Sequence, residues 1–137
     1  MRVVLDTNIL LSGLMSSTGT PGRLLNAWLD DRFTLVSSEE QLREFRRASR
    51  CEQVAKYISQ SDAGTLVNTV RALAIMVERL PVVNLSPDPH DDFLLAIAQA
   101  GGAHYLVSGD KSGLLALGKM GDTKIVTAGK MAGFVGI

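Results

Sequence analysis

The chain has 137 residues, 46% of them hydrophobic and 20% charged, a balance that excludes a disordered chain or a coiled coil. Fourteen basic and fourteen acidic residues cancel, so any attraction to a polyanion has to come from local clustering rather than net charge. Cys51 is alone, which rules out an intrachain disulfide, and no apolar run approaches the roughly 18 residues of a membrane span. The apolar N-terminal stretch is interrupted at Asp6, too early for a signal peptide, so a cytoplasmic protein is expected.

Short β-like runs alternate with helical periods, the pattern of a parallel sheet covered by helices. Arg2 to Leu5 reads as a buried strand, followed by a helix from about Asn8 to Met15. The stretch from Ser16 to Gly22 breaks it, and Leu24, Leu25, Trp28 and Leu29 then mark one face of a second helix. Phe33 to Val36 is the next strand. Ser38 with Gln41 three places on reads as a capping box, opening a helix that turns Leu42, Phe45 and Ala48 inward.

Another short helix fits Cys51 to Gln60. Leu66, Val70, Leu73 and Val77 predict a long amphipathic helix from near Ser61, ended by Pro81. Val82 to Leu85 is a short strand or extended link, and Ser86 to His90 a loop. Phe93 to Ala98 is an almost wholly apolar helix, stopped by Gly101-Gly102. Strands at Tyr105 to Val107 and Lys124 to Val126 follow, with a helix around Leu114 to Leu117 between them and a terminal one capped by Thr127. The fold class is α/β, with a central parallel sheet of four to five strands flanked by helices.

Four acids stand at or just beyond strand ends in this layout: Asp6, Glu44, Asp92 and Asp110. Parallel strands end on one edge, where open α/β sheets bind their ligands, so these acids can converge despite their separation in sequence. Taken singly, each has a plainer reading. Asp6, Asp91, Asp92 and Asp110 sit where helix N-caps belong, and Glu44 shares its helix with Arg43, Arg46 and Arg47. Taken together, four carboxylates in one place repel unless a cation joins them. Oxygen donors suit hard Mg²⁺ or Mn²⁺, which can activate water against a phosphodiester. His90 and His104 are isolated and share no ligand spacing with Cys51, which argues against zinc.

The opening Val-Leu-Asp6-Thr7-Asn8 resembles the signature of PIN-domain nucleases. The likeness continues through Ser38-Glu-Glu-Gln-Leu-Arg-Glu44-Phe and Asp88-Pro-His-Asp91-Asp92-Phe-Leu-Leu-Ala-Ile-Ala. It ends with Val107-Ser108-Gly109-Asp110-Lys111 and the Leu114-Leu115 that follows. Four motifs in order span almost the whole chain and imply one PIN-like domain over residues 1–137. The nearest flavour is the VapC-like toxin component of toxin–antitoxin systems.

That resemblance implies a Mg²⁺- or Mn²⁺-dependent endoribonuclease in which Asp6, Glu44, Asp92 and Asp110 are both catalytic and metal-binding. Asp92 is preferred to Asp91 because it stands immediately before Phe-Leu-Leu-Ala. Asp91 is then a neighbour that caps the helix or holds a metal-bound water, while Thr7, Asn8 and Ser108 match the small polar positions that orient carboxylates and waters. One departure is visible: Ser112 and Gly113 stand where relatives often carry a further acid.

Arg43, Arg46, Arg47 and Arg50 form the densest basic cluster, either a solvated helix face or a phosphate-binding one. Arg43 and Arg47 are the residues expected to bind RNA. An antitoxin protein and a second copy of the chain are the partners the resemblance implies. A catalytically silent PIN-like module that binds a partner or nucleic acid, and a nuclease of RNA processing rather than a toxin, are the alternatives. A phosphotransferase with an aspartyl nucleophile is disfavoured, because no second acid follows closely behind Asp6.

Overall fold

Arg2–Leu5 forms the first strand, β1, with Val3, Val4 and Leu5 all fully buried, as a strand covered on both faces requires. The computed structural model describes residues 1–137. After β1 come α1 (Thr7–Met15), α2 (Thr20–Leu29), β2 (Thr34–Ser38), α3 (Glu39–Ser49), the short α4 (Glu52–Ala55), α5 (Gln60–Leu73) and β3 (Ile75–Val77). A long link and a 3-10 turn at Pro89–Asp91 lead to α6 (Asp92–Gly101) and β4 (Tyr105–Val107). The chain closes with α7 (Leu114–Leu117), β5 (Lys119–Met120), β6 (Thr123–Val126) and α8 (Ala128–Val135).

The strands form one sheet in the order β3-β2-β1-β4-β6-β5. All neighbours are parallel except the β5–β6 edge pair, so the expected parallel sheet is present with a sixth, antiparallel strand added. Register places Val3 beside Leu35 and Leu5 beside Val107. From β1 the chain builds outward to β2 and β3, then returns to lay β4 on the other flank of β1. The direction of winding reverses there, and the crevice between the carboxyl ends of β1 and β4 is the topological switch point.

Strand alternation divides the interior into two cores. Val3, Leu5, Leu35, Val107 and Val126 face α1, α2, α3 and α5, packing with Leu24, Trp28, Phe45 and Val67. Val4, Val36, Leu106 and Ile125 face the other way, against Leu94, Leu95, Ile97 and Leu114 of α6 and α7. The helices begin where side chains cap them. Asp6, Ser38, Ser59 and Thr127 each accept a hydrogen bond from a first-turn backbone N–H. Gly102, at φ 60°, closes α6 in the left-handed conformation that a residue with a Cβ resists.

Three expectations change. The helix predicted to continue to Pro81 stops at Leu73. Ala74 turns extended, and Ile75–Val77 pairs with Val36–Ser38 as β3. Val77 therefore belongs to the sheet and Leu73 is 61% exposed, because ladder hydrogen bonds on the free edge of β2 outweigh one more helical turn. Leu29, assigned to the inner face of α2, is exposed, whereas Leu24, Leu25 and Trp28 are buried. The capping box is only half made. The Ser38 hydroxyl accepts from Gln41 N–H at 3.2 Å, but the Gln41 side chain does not reach back. It donates through Nε2 to the Leu5 carbonyl at 2.6 Å and accepts from the Ser37 hydroxyl at 2.6 Å, tying the ends of β1 and β2 together inside the core.

Candidate active site

The carboxyl end of β1 delivers Asp6 to the switch point. Its backbone N–H donates to the Val107 carbonyl at 2.9 Å, and its side chain is held at both oxygens. Oδ1 accepts from Asn8 N–H at 3.2 Å and Oδ2 from the buried Ser108 hydroxyl at 2.9 Å. Asp6 is thus the helix cap and also a buried carboxylate. Burial raises its pKa, the bonds from Ser108 and Asn8 oppose the rise, and the nearby Asp110 charge adds to it.

Asp110 stands two residues beyond Ser108, whose hydroxyl also accepts from Asp110 N–H at 3.2 Å. Asp110 Oδ1 accepts from the backbone N–H groups of Ser112 and Gly113 at 3.2 and 3.1 Å, which pins the loop ahead of α7. A Cβ at position 113 would collide with the Asp110 carboxylate, so the glycine there leaves room for it. The residues at 112 and 113 hold Asp110 in place.

The third acid of the group is Asp91. It occupies the N-cap position of α6 but makes no capping hydrogen bond with its side chain. It lines a pocket of about 100 Å³ together with Asp6, Thr7, Asn8, Glu44 and His90. Its pKa is pushed up to about 6, first by burial and then by the charges of Asp6, Asp88 and Asp110, with His90 pulling the other way. That pattern places Asp91 within the electrostatic reach of both Asp6 and Asp110.

Asp92, preferred from the sequence, is turned elsewhere. Its Oδ1 accepts from the backbone N–H of Leu85 at 3.1 Å and of Ser86 at 2.8 Å, anchoring the link that follows β3. Asp92 holds the link that follows β3, and Asp91 lines the pocket. No sequence signal separated them. Every residue from Leu94 to Ala98 is buried, so α6 has no polar face to reveal which side the pocket is on.

Glu44 reaches the pocket rim from α3, but Arg47 holds it in a two-point ion pair, Nη2 to Oε1 at 2.6 Å and Nε to Oε2 at 3.1 Å. Arg43, expected to be a free phosphate ligand, is exposed and lies 3.6 Å from Glu40. Thr7 is buried on the pocket wall, and its hydroxyl oxygen has no hydrogen-bond partner in the chain. Asn8 supports Asp6 through its backbone N–H, while its side chain is exposed. His90 and Phe93, not anticipated from the sequence, also line the pocket. A larger apolar groove of about 310 Å³ lies between α2 and α5, away from all of these acids.

No three His, Cys, Asp or Glu side chains stand close enough together to grip a metal ion as they are arranged. The chemistry of the donor set nevertheless fits a hard divalent cation. It is dominated by carboxylate oxygens and an unpartnered buried hydroxyl, with one imidazole, that of His90, and no thiol beside them. No helix is long and apolar enough to cross a membrane.

A family model described as PIN domain matches residues 2–112. The uncharacterized protein MJ1680 of Methanocaldococcus jannaschii is 22% identical over 112 residues, covering 81% of this chain and 72% of its own. PIN domains are generally nucleases, which implies a nucleic acid substrate, and they usually employ divalent metal ions. A match over most of the chain, on a sheet whose switch point gathers Asp6 and Asp110 beside Asp91, carries one conclusion: the chain belongs to the PIN domain family.

Proposed function

We propose that this protein is a Mg²⁺- or Mn²⁺-dependent endoribonuclease whose working carboxylates are Asp6, Asp91 and Asp110, with Glu44 at the rim. One observation supports it above the others: Asp6, Asp91 and Glu44 line one pocket at the topological switch point, where burial first, and then the charges of Asp6, Asp88 and Asp110, push the Asp91 pKa up to about 6. Acids gathered in a partly buried pocket with a perturbed pKa are characteristic of functional sites.

A bound divalent cation supplies neutralisation of the carboxylate charge and of the charge that develops on the phosphodiester. The chain's own residues do the rest. Ser108 and Asn8 fix the orientation of Asp6, and the Ser112–Gly113 turn fixes that of Asp110. The Thr7 hydroxyl offers a hydrogen bond to an oxygen entering the pocket. Arg47 neutralises Glu44 and stands beside the path of the RNA backbone, where a phosphate can compete for its guanidinium. Arg47 is therefore an RNA-binding residue, with Arg43 on the exposed flank.

Cleavage of a labelled RNA with EDTA, Mg²⁺ and Mn²⁺ arms tests the reading. Cleavage is expected only with metal, and Asp6→Asn is expected to abolish it while leaving the circular dichroism spectrum and melting curve nearly unchanged, since Asn also serves as a helix cap. Wild-type rates from the Asp6→Asn protein at saturating Mn²⁺ would remove Asp6 from the mechanism. Cleavage of DNA in preference to RNA would correct the substrate. The toxin setting carries its own readout: induced wild-type protein arrests growth and the Asp6→Asn protein does not.

A further inference from the structure

Among the acids at the switch point, Glu44 alone is held in an ion pair. Asp6 and Asp110 are fixed by neutral donors, a serine hydroxyl and backbone N–H groups. Glu44 instead gives both carboxylate oxygens to Arg47, at 2.6 and 3.1 Å, one turn further along α3. Two spaces meet at this pair. Inward lies the pocket of about 100 Å³ that Glu44 shares with Asp6 and Asp91. Outward, between α3 and the start of α6, lies a cavity of about 350 Å³ lined by Glu40, Glu44, Arg47, His90 and Phe93. Arg47 lines only the outer space, so its grip acts on Glu44 from outside the pocket.

This arrangement sets up two competitions. A guanidinium bound at two points occupies the carboxylate oxygens that a hard cation would take. The same planar fork of donors also matches a phosphate. Glu44 therefore serves either Arg47 or a cation in the pocket, and Arg47 serves either Glu44 or a phosphate in the outer cavity. Exchange between them is cheap, because the pair is open to water: the Arg47 side chain is 70% exposed and that of Glu44 37%. With the pair closed, no three acidic side chains stand close enough to grip an ion.

We propose that Arg47 is a clamp on Glu44 that the RNA backbone releases: a phosphate that takes the guanidinium frees the Glu44 carboxylate to serve as a ligand in the pocket. The inference rests on the ribonuclease reading and adds a regulation to it, since RNA and cation then favour each other's binding. Arg47 acts through Glu44 and is a positioning residue, with no part in bond breaking. An exposed pair shifts an equilibrium only a few-fold, so the clamp tunes the site rather than closing it.

A double-mutant cycle on Glu44→Gln and Arg47→Gln tests the clamp with two readouts, neither of which is cleavage. Both side chains are exposed enough for the variants to fold, as circular dichroism spectra would show. The first readout is Mn²⁺ binding to RNA-free protein, followed by the electron paramagnetic resonance of the free ion. Arg47→Gln is expected to tighten Mn²⁺ by roughly threefold, the scale of an exposed ion pair, and to have little effect once Glu44 is already Gln. The second is binding of a fluorescent eight-nucleotide RNA in EDTA, read by anisotropy. Glu44→Gln is expected to tighten RNA by a similar factor while Arg47 is present, and to leave it nearly unchanged in the Arg47→Gln protein. Equal effects in both backgrounds, in either readout, would mean that each charge acts on its ligand independently, and would overturn the clamp. Unchanged Mn²⁺ affinity in the Arg47→Gln protein would overturn it too. Additive cycles alongside metal-dependent cleavage by the wild-type protein sink the clamp alone. Non-additive cycles with no cleavage under any metal sink the ribonuclease reading and leave the clamp standing.

Discussion

At the scale of single residues, Asp91 and Asp92 show how little separates an acid that lines a pocket from one that holds a loop. They are adjacent, and their side chains leave the start of α6 in different directions: one into the pocket, the other to Leu85 and Ser86. Asp91→Ala is expected to reduce cleavage by more than the roughly hundredfold typical of groups that merely support a ligand. Asp92→Ala is expected to keep most of the rate and to cost about 1 kcal/mol of stability through its two lost hydrogen bonds. Single-turnover cleavage and urea melts on the two variants check this, and the reverse order of effects would restore Asp92 to the site. Asp91 also has a pH signature. Its pKa lies near 6 in the folded protein and near 3.8 in the unfolded chain, so between those values the folded state holds the extra proton and stability falls as pH rises. After allowance for solvent screening of this half-exposed group, the cost at neutral pH is about 1 kcal/mol. Asp91→Asn should therefore be more stable than wild type by about that amount at pH 7.5 and nearly equal to it at pH 4, as urea melts at both pH values would show.

At the scale of elements, Gln41 joins α3 to the ends of β1 and β2 beside the site. It lies in the first turn of α3, 1% exposed, and satisfies the last carbonyl of β1 immediately before Asp6. Gln41→Leu keeps the volume but strands the Leu5 carbonyl and the Ser37 hydroxyl without partners. A loss of about 2 kcal/mol is expected in chemical denaturation. A loss of only a few tenths would show that water or a shifted backbone satisfies both groups. Most elements were legible because strand and helix periods differ and because Ser38, Thr127 and Gly102 punctuate them. The end of α5 was not, since an apolar residue at the right spacing, Val77, serves a helix face and a sheet edge equally well. The two-residue β5 was too short to leave any period at all.

At the scale of the whole molecule, chain order and strand order differ, and that difference makes the site. The positions of Asp6 and Asp110 were readable because strand ends are readable, and parallel topology brings strand ends together. The facing of Asp91, the Arg47 grip on Glu44 and the space above Gly113 were not readable. Each depends on side-chain direction and close approach, which spacing along the chain does not encode.

The pairing of β1 with β4 joins the first and last thirds of the chain, Val3 beside Tyr105 and Asp6 bonded to Val107 and Ser108. Contacts of such long sequence separation form late and slowly, because the intervening chain must first be ordered. During synthesis Asp6 emerges well ahead of Ser108 and Asp110, which follow it by 102 and 104 positions. Nascent fragments that stop short of Val107 carry Asp6, Glu44 and Asp91 but lack the strand that seats the first of them. The acidic pocket is then completed in a single late step of maturation, when β4 docks, rather than accumulating as the polypeptide lengthens.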